Sequence, residues 1–235
     1  MSQANFNFKS FSIVNPKKGL KVTTDACLLG AVANYTNPKS IIDIGCGSGV
    51  IALMLAQKYP LAEVTAIDID ENAIENARIN IDNSKFSNHF NLIIGDFLSY
   101  NFIHKSDLLV CNPPYFSNHL QNQNSDKRIA IHNLSLDFDL LIQKVVTLMH
   151  QKSCFWVILP PYEMQCFIKK ANSNSLNIQS ILTIFNQGNK HFRDIVCFKL
   201  ENNQSFETNQ LLMFDNQNKM TYEYHQLMFP YYLDK

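Results

Sequence analysis

The sequence lacks any stretch that stays apolar for the ~18 or more residues a membrane-spanning helix needs, and its first ten residues lack a basic patch followed by an apolar run. Neither a membrane nor export is therefore expected, and the cytoplasm is the expected compartment. An excess of one charge is also missing. Lys plus Arg and Asp plus Glu both count 20, so no global field draws the chain to nucleic acid or to an anionic membrane, and any RNA contact must come from a local patch. Arginine is scarce, at Arg78, Arg128 and Arg193. Paired cysteine spacing is absent: Cys27, Cys46, Cys111, Cys154, Cys166 and Cys197 show no C-x-x-C, and most sit in apolar segments where a reduced thiol behaves as a small hydrophobe. No internal repeat or linker interrupts the chain.

What is present is enough apolar material for one domain, 46% of 235 residues. From residue 40 to 200, short β-rich runs alternate with helix-period segments, the pattern of an α/β fold with a mostly parallel sheet covered on both faces. Strands are predicted at Ser40 to Ile44, Glu63 to Ile67, Phe90 to Ile94, Asp107 to Cys111, Ser153 to Leu159, Asn177 to Phe185 and Phe192 to Leu200. Helices are predicted at Val50 to Tyr59, Glu71 to Asn83, Leu136 to Gln151 and Tyr162 to Asn172. Residues 1–39 read as an N-terminal arm, 40–200 as the catalytic sheet, and 201–235 as an extension with a strand at Leu211 to Phe214 and an aromatic-rich helix. Ser117 to Asn133 is polar and aperiodic, a long loop of the kind that is more often functional than structural.

The first predicted strand ends in Asp43-Ile-Gly45-Cys-Gly47-Ser-Gly49 and runs directly into a helix, so its backbone can approach a ligand at a helix N-terminus. The spacing is G-x-G-x-G, whereas the dinucleotide fingerprint is G-x-G-x-x-G with a pyrophosphate above the helix. A nucleoside without phosphates fits better. Asp68 ends the second strand, where a carboxylate can accept from both ribose hydroxyls, and Asp96 follows Gly95 after the third, where it can accept from an adenine amino group. A lone Asp after a strand is more often a cap or turn acid. Three glycines and three acids at successive strand ends outweigh that reading, and together they resemble the class I S-adenosylmethionine methyltransferase pattern.

The fourth strand closes on Asn112-Pro113-Pro114-Tyr115, a peptide that cannot continue it because two prolines remove ladder donors and fix the backbone. A rigid corner suits an aniline-like amino group. Its lone pair is delocalised into the ring, so acceptors aimed at its N–H bonds must turn that pair toward an electrophile. Asn112 Oδ1 and the Pro113 carbonyl can be those acceptors, with Tyr115 stacked on the plane that bears the amino group. The bland alternative is a turn that merely ends a strand. In class I enzymes this tetrapeptide occurs in those acting on base amino groups and in those acting on the amide of glutamine, so it points to a reaction and not to a substrate.

Thr24-Asp25-Ala-Cys-Leu28-Leu29-Gly30, with no separate helical domain ahead of it, resembles the bacterial tRNA1(Val) (adenine-37-N6)-methyltransferase family. Arg128-x-Ala130-x-His132, Lys190-His-Phe-Arg193 and Tyr231-Tyr-Leu match that family in order and spacing. The resemblance implies a Rossmann-like, doubly wound seven-stranded sheet with an antiparallel last pair and an N-terminal arm over the cofactor. It implies S-adenosyl-L-methionine as cofactor and no metal. The substrate would be N6 of the adenine beside the anticodon of a valine tRNA, with the enzyme acting as a monomer. By the same analogy Thr24 and Asp25 line the methionine end of the cofactor, although either is as readily a helix cap. Lys9, Lys17, Lys18, Lys21, Lys127, Arg128, Lys190 and Arg193 are candidates for phosphate contact, and Phe6, Phe8, Phe11 and Phe116 for base stacking. Each alone is more often a solvated charge or a core ring. His132 and His191 have no metal-like spacing. Competing readings are a protein glutamine N5-methyltransferase and a non-catalytic RNA- or cofactor-binding relative. DNA adenine methylation is disfavoured because no target-recognition domain is visible.

Overall fold

Alternation along the strands builds two apolar layers. In β3 (Ser40–Ile44), Ile41 belongs to one buried cluster and Ile42 and Ile44 to the other, because successive side chains leave opposite faces of a strand. The structure, a computed structural model, describes residues 5–14, 22–114, 138–201 and 205–233. A short hairpin, β1 (Asn5–Asn7) with β2 (Ser12–Val14), precedes α1 (Thr24–Val32) and β3. Then follow α2 (Val50–Lys58), β4 (Glu63–Asp68), α3 (Glu71–Asp82), β5 (Phe90–Ile94) and β6 (Ser106–Cys111). After the next described residue come α4 (Phe138–Leu148), β7 (Met149–Leu159), α5 (Pro161–Ser173), β8 (Asn177–Asn186), β9 (Lys190–Lys199), β10 (Glu207–Leu212) and α6 (Tyr222–Met228).

The sheet runs β10-β8-β9-β7-β6-β3-β4-β5. β3 to β7 are mutually parallel, and β9 is antiparallel to both β7 and β8. The expected antiparallel last pair is thus present, but the strand number is corrected from seven to eight. Glu207 to Leu212 adds a parallel strand to the free edge of β8, four residues earlier than the predicted Leu211 start. The first four of its residues are exposed, so hydrophobic alternation gave no sign of them; the edge hydrogen bonds of β8 do.

Two other boundaries moved. β7 begins at Met149, where a helix was predicted to continue to Gln151, because Met149 pairs with Ser106 across an irregularity before the regular register resumes at Leu108 and Cys154. The Ser153 hydroxyl both accepts the His150 N–H (2.9 Å) and donates to the Ser106 carbonyl (2.6 Å), fastening that irregularity. The hairpin was not foreseen at all. It is held from outside its own sequence: Val14 N–H donates to Asn80 Oδ1 at 2.8 Å, and Phe8 bridges to Tyr232 near the end of the chain.

One face of the sheet is covered by α1, α2, α3 and α6, the other by α4 and α5. Phe8 and Phe11, expected as possible base-stacking rings, are buried in the first of these layers with ring centroids 4.5 Å apart. Their chemistry is core packing. Lys9 lies with its ammonium 3.7 Å from the Phe229 ring, again within the join of the two ends of the described chain. Among the described residues no helix is long and apolar enough to cross a membrane.

Candidate active site

The carboxyl ends of β3, β4, β5 and β6 meet around one cavity of about 540 Å³, which is where open α/β sheets bind ligands. Its floor is the turn after β3. Gly45 and Cys46 donate their N–H groups to the Ile67 carbonyl of β4 (2.9 and 3.1 Å), and the Gly47 N–H donates to Asp68 Oδ2 (2.9 Å). Gly45 and Gly49 have φ of 69° and 80°, a region that other residues enter at a cost. A Cβ on Gly45, which lines the cavity, would meet nothing within 4 Å, whereas one on Gly49 would press on Ala77 of α3 at 3.3 Å. The missing side chain at Gly49 lets the turn sit against α3.

Asn80 of α3 locks this arrangement from beneath. Its amide donates to the Ser48 carbonyl at 2.9 Å while its Oδ1 receives the Val14 N–H, and the residue is 1% exposed. Sequence reading missed Asn80. An asparagine on the apolar side of an otherwise amphipathic helix was the available signal.

Of the residues expected at the cofactor, Gly45, Gly47, Asp68 and Asp96 line the cavity, as does Asn112, expected there as well as at the amino group; Gly49 does not. Asp68 spends one oxygen on Gly47 and the other on the Asp70 N–H (3.0 Å); Asp96 accepts the Leu98 N–H (3.0 Å). Both carboxylates retain lone pairs for a hydroxyl or amino donor. Ile69, Phe97 and Leu98 add apolar walls for a flat heterocycle. These residues fit a nucleoside: acids at the rim, a glycine-rich turn at the floor, and no cationic side chain among the described lining residues to attract phosphates.

Asp43 does not line the cavity. It is fully buried below the turn, where Oδ2 accepts the Ala52 N–H of α2 (3.0 Å) and Oδ1 has no partner among the described residues. Burial pushes its carboxyl up to about 7, against the opposing effect of the Ala52 bond and with some help from the Asp68 charge. Cys46 and Cys111 do line the cavity, and burial pushes both thiols well above their usual range, helped by Asp43 and Asp68. Both therefore stay protonated and are poor nucleophiles.

A second cavity of about 340 Å³ adjoins the first at the β6 corner, lined by Thr23, Thr24, Asp25, Asn112, Pro113, Pro114, Phe192 and Arg193. Asn112, Pro113 and Pro114 line both cavities, and so does Thr23. The cap of α1 is Thr23, whose hydroxyl accepts the Ala26 N–H at 3.1 Å, and not Thr24 or Asp25. Thr24 and Asp25 face the second cavity and not the first. Asp25 is held there by Arg193 of β9, Nε to Oδ2 2.7 Å. The guanidinium, expected on RNA phosphate, is thus engaged with a carboxylate, while Lys190 at the head of β9 is exposed. His191 faces Asp194 at 2.9 Å. Tyr115, Phe116, Lys17, Lys18, Lys21, Lys127, Arg128 and His132 lie outside the described residues.

Residues 9–133 match the methyltransferase small domain family. Among curated proteins, the tRNA1(Val) (adenine(37)-N6)-methyltransferase of Pseudoalteromonas translucida is 35% identical, over 98% of this chain and 99% of its own length. The proteins of the same name from Pedobacter heparinus and Actinobacillus pleuropneumoniae are 39% identical over 82% of each chain and 34% identical over 97% of each. Among solved structures, a predicted O-methyltransferase from Agrobacterium tumefaciens superposes with a TM-score of 0.69 at 20% identity, covering 88% of this chain and 96% of its own. A methyltransferase from Pyrococcus furiosus does so with a TM-score of 0.56 at 18% identity, covering 81% and 89%. At such identities these structures speak for the fold, which is that of class I methyltransferases. Full-length identity above a third, carried on that fold, settles the family: this chain belongs to the bacterial tRNA1(Val) (adenine(37)-N6)-methyltransferases, within the methyltransferase small domain family.

Proposed function

We propose that the protein transfers the methyl group of S-adenosyl-L-methionine to N6 of an adenine in tRNA, the adenine next to the anticodon of a valine tRNA. The observation that carries this reading is that Asn112, Pro113 and Pro114 form a wall common to a nucleoside-sized cavity and a second, adjoining one. A donor on one side and an acceptor on the other can then meet at the corner.

When bound, S-adenosyl-L-methionine supplies an electrophilic methyl group and retains the C–S electron pair as a neutral thioether. Asp68 and Asp96 would hold the ribose and adenine of that cofactor, over the turn of Gly45, Cys46, Gly47 and Ser48. Asn112 Oδ1 and the Pro113 carbonyl accept the two N–H bonds of the incoming amino group, which turns its lone pair toward the methyl. As the N–C bond forms and the C–S bond breaks, the nitrogen becomes cationic and then loses one proton to solvent water. A neutral amine needs no strong base, since the methylated nitrogen is far more acidic than the amine, and Asn112 serves as an acceptor that does not itself ionise. Tyr115, outside the described residues, is the candidate ring for stacking on the base. An anticodon loop already presents unpaired bases, which lowers the cost of placing one in a pocket by a few kcal/mol. Lys190 is exposed for a backbone phosphate, and Lys18, Lys21, Lys127 and Arg128 are the other candidates.

The test is transfer of labelled methyl to total tRNA from cells lacking this gene, followed by nucleoside analysis. N6-methyladenosine in a valine tRNA is the expected product. Label in protein that survives ribonuclease, with none in RNA, would replace this reading with glutamine methylation.

A further inference from the structure

The second cavity has one wall on the β6 corner and the other on two elements far apart in sequence, the head of α1 and the start of β9. What joins those two elements is the Asp25–Arg193 pair, whose side chains are 8% and 16% exposed. Three contacts of Arg193 with described residues bear on the cavity. Its Nε donates to Asp25, its Nη1 donates to the Phe192 carbonyl at 2.7 Å, and its guanidinium lies 4.1 Å from the Phe192 ring centroid. The ring is thus covered on one face by the guanidinium while Phe192 also lines the cavity.

From these contacts, and resting on the reading above, we infer that Asp25 and Arg193 are a positioning pair that sets the width of the acceptor cavity. Phe192 is the surface against which the target base is held opposite Asn112. A guanidinium already neutralised by a buried carboxylate has little attraction left for phosphate, and its planar fork is what permits one side chain to bond a carboxylate and a carbonyl while stacking on a ring. Lysine cannot reproduce that set. Asp25 sits in the first turn of α1, next to the capping Thr23 that lines both cavities, so releasing Asp25 would loosen the acceptor wall before the donor floor.

The experiment uses the full-length enzyme and unmodified tRNA at saturating cofactor, with kcat, KM, cofactor affinity and the salt dependence of tRNA binding measured for each variant. R193K, R193Q and D25N are each expected to lower kcat at least tenfold with cofactor affinity within about twofold of the parent. D25N/R193Q should be no worse than the weaker single variant, since both remove one device. F192L, which keeps an apolar side chain but no stacking face, should lower kcat/KM by roughly 5- to 100-fold. Should D25N or R193Q fail to fold, R193K and F192L decide. The pair is overturned if R193K restores activity with a salt slope like the parent's while R193Q loses about one unit of slope, the signature of a phosphate contact. It is equally overturned if D25N weakens cofactor affinity tenfold, which would return Asp25 to the methionine end, or if F192L is as active as the parent. Failure of the underlying reading shows differently, as absence of transfer to tRNA by the unaltered enzyme.

Discussion

The Gly47 N–H donates to Asp68 Oδ2 at 2.9 Å, so the carboxylate at the rim of the larger cavity also fastens the turn that forms its floor. On the proposed function, Asp68→Ala removes a ligand acceptor and a brace together. Hydrogen bonds to a charged group contribute about 1.5–3 kcal/mol each, so cofactor affinity should fall by at least roughly 10- to 100-fold by calorimetry. Asp68→Asn, which keeps one oxygen, should lose less. Unchanged affinity in Asp68→Ala would remove this residue from the cofactor site.

Asn112 has a different signature. If it holds the amino group and not the cofactor, Asn112→Ala should lower kcat by about 10²-fold or more, the scale seen when one preorganised transition-state contact is deleted. Affinity for S-adenosylmethionine should stay within a few fold. A normal single-turnover rate would end the proposal that this amide is an acceptor.

Asp43 makes the stability of the protein pH-dependent in an uncommon direction. Its folded pKa, about 7, lies above the ordinary carboxylate value of 3.8, so between those two values the folded state binds more protons than the unfolded state. Stability from this group is fully present below about pH 4 and is lost as pH rises to about 7. Asp43→Asn cannot ionise, so its melting temperature relative to the parent should rise by several degrees from pH 5 to pH 8, at ~2–4 °C per kcal/mol for a chain of this size. A difference that stays flat across that range would mean that Asp43 is ionised throughout.

Asn80 should be expensive to replace although it touches no ligand. Asn80→Ala leaves the Val14 N–H and the Ser48 carbonyl without their partner in a buried place, at a cost of roughly 2–4 kcal/mol. Thermal melting should drop by roughly 5–15 °C. A loss under about 1 kcal/mol would show that water satisfies both groups.

Cys46 and Cys111 border the larger cavity yet should remain unreactive, because burial keeps both thiols protonated. Treatment of the native enzyme with a thiol-alkylating reagent at pH 8, read by peptide mass spectrometry, should modify the partly exposed Cys166 well before either. Rapid labelling of Cys46 would contradict the protonated, enclosed state.

Most residues that line the larger cavity could be read from the chain because they are local. Gly45 to Gly49 and the strand that leads into them are contiguous, Asp68 and Asp96 stand at the ends of runs whose β pattern is plain, and Asn112-Pro113-Pro114 announces a corner by its own stereochemistry. Each of these positions is dictated by residues within a few places of it. Strand number, hairpin and acceptor wall were not legible, since they depend on partners distant in sequence. β10 exists because β8 offers an open edge, β2 is held by Asn80 sixty-six residues away, and Arg193 is drawn from solvent by a carboxylate 168 residues before it. Periodicity and turn chemistry act over one or two turns of backbone, and so the sequence by itself determined the α/β order and the glycine turn. Which buried polar group meets which is decided by the folded sheet, because only there does desolvation make an unpaired carboxylate, guanidinium or amide costly enough to choose its partner.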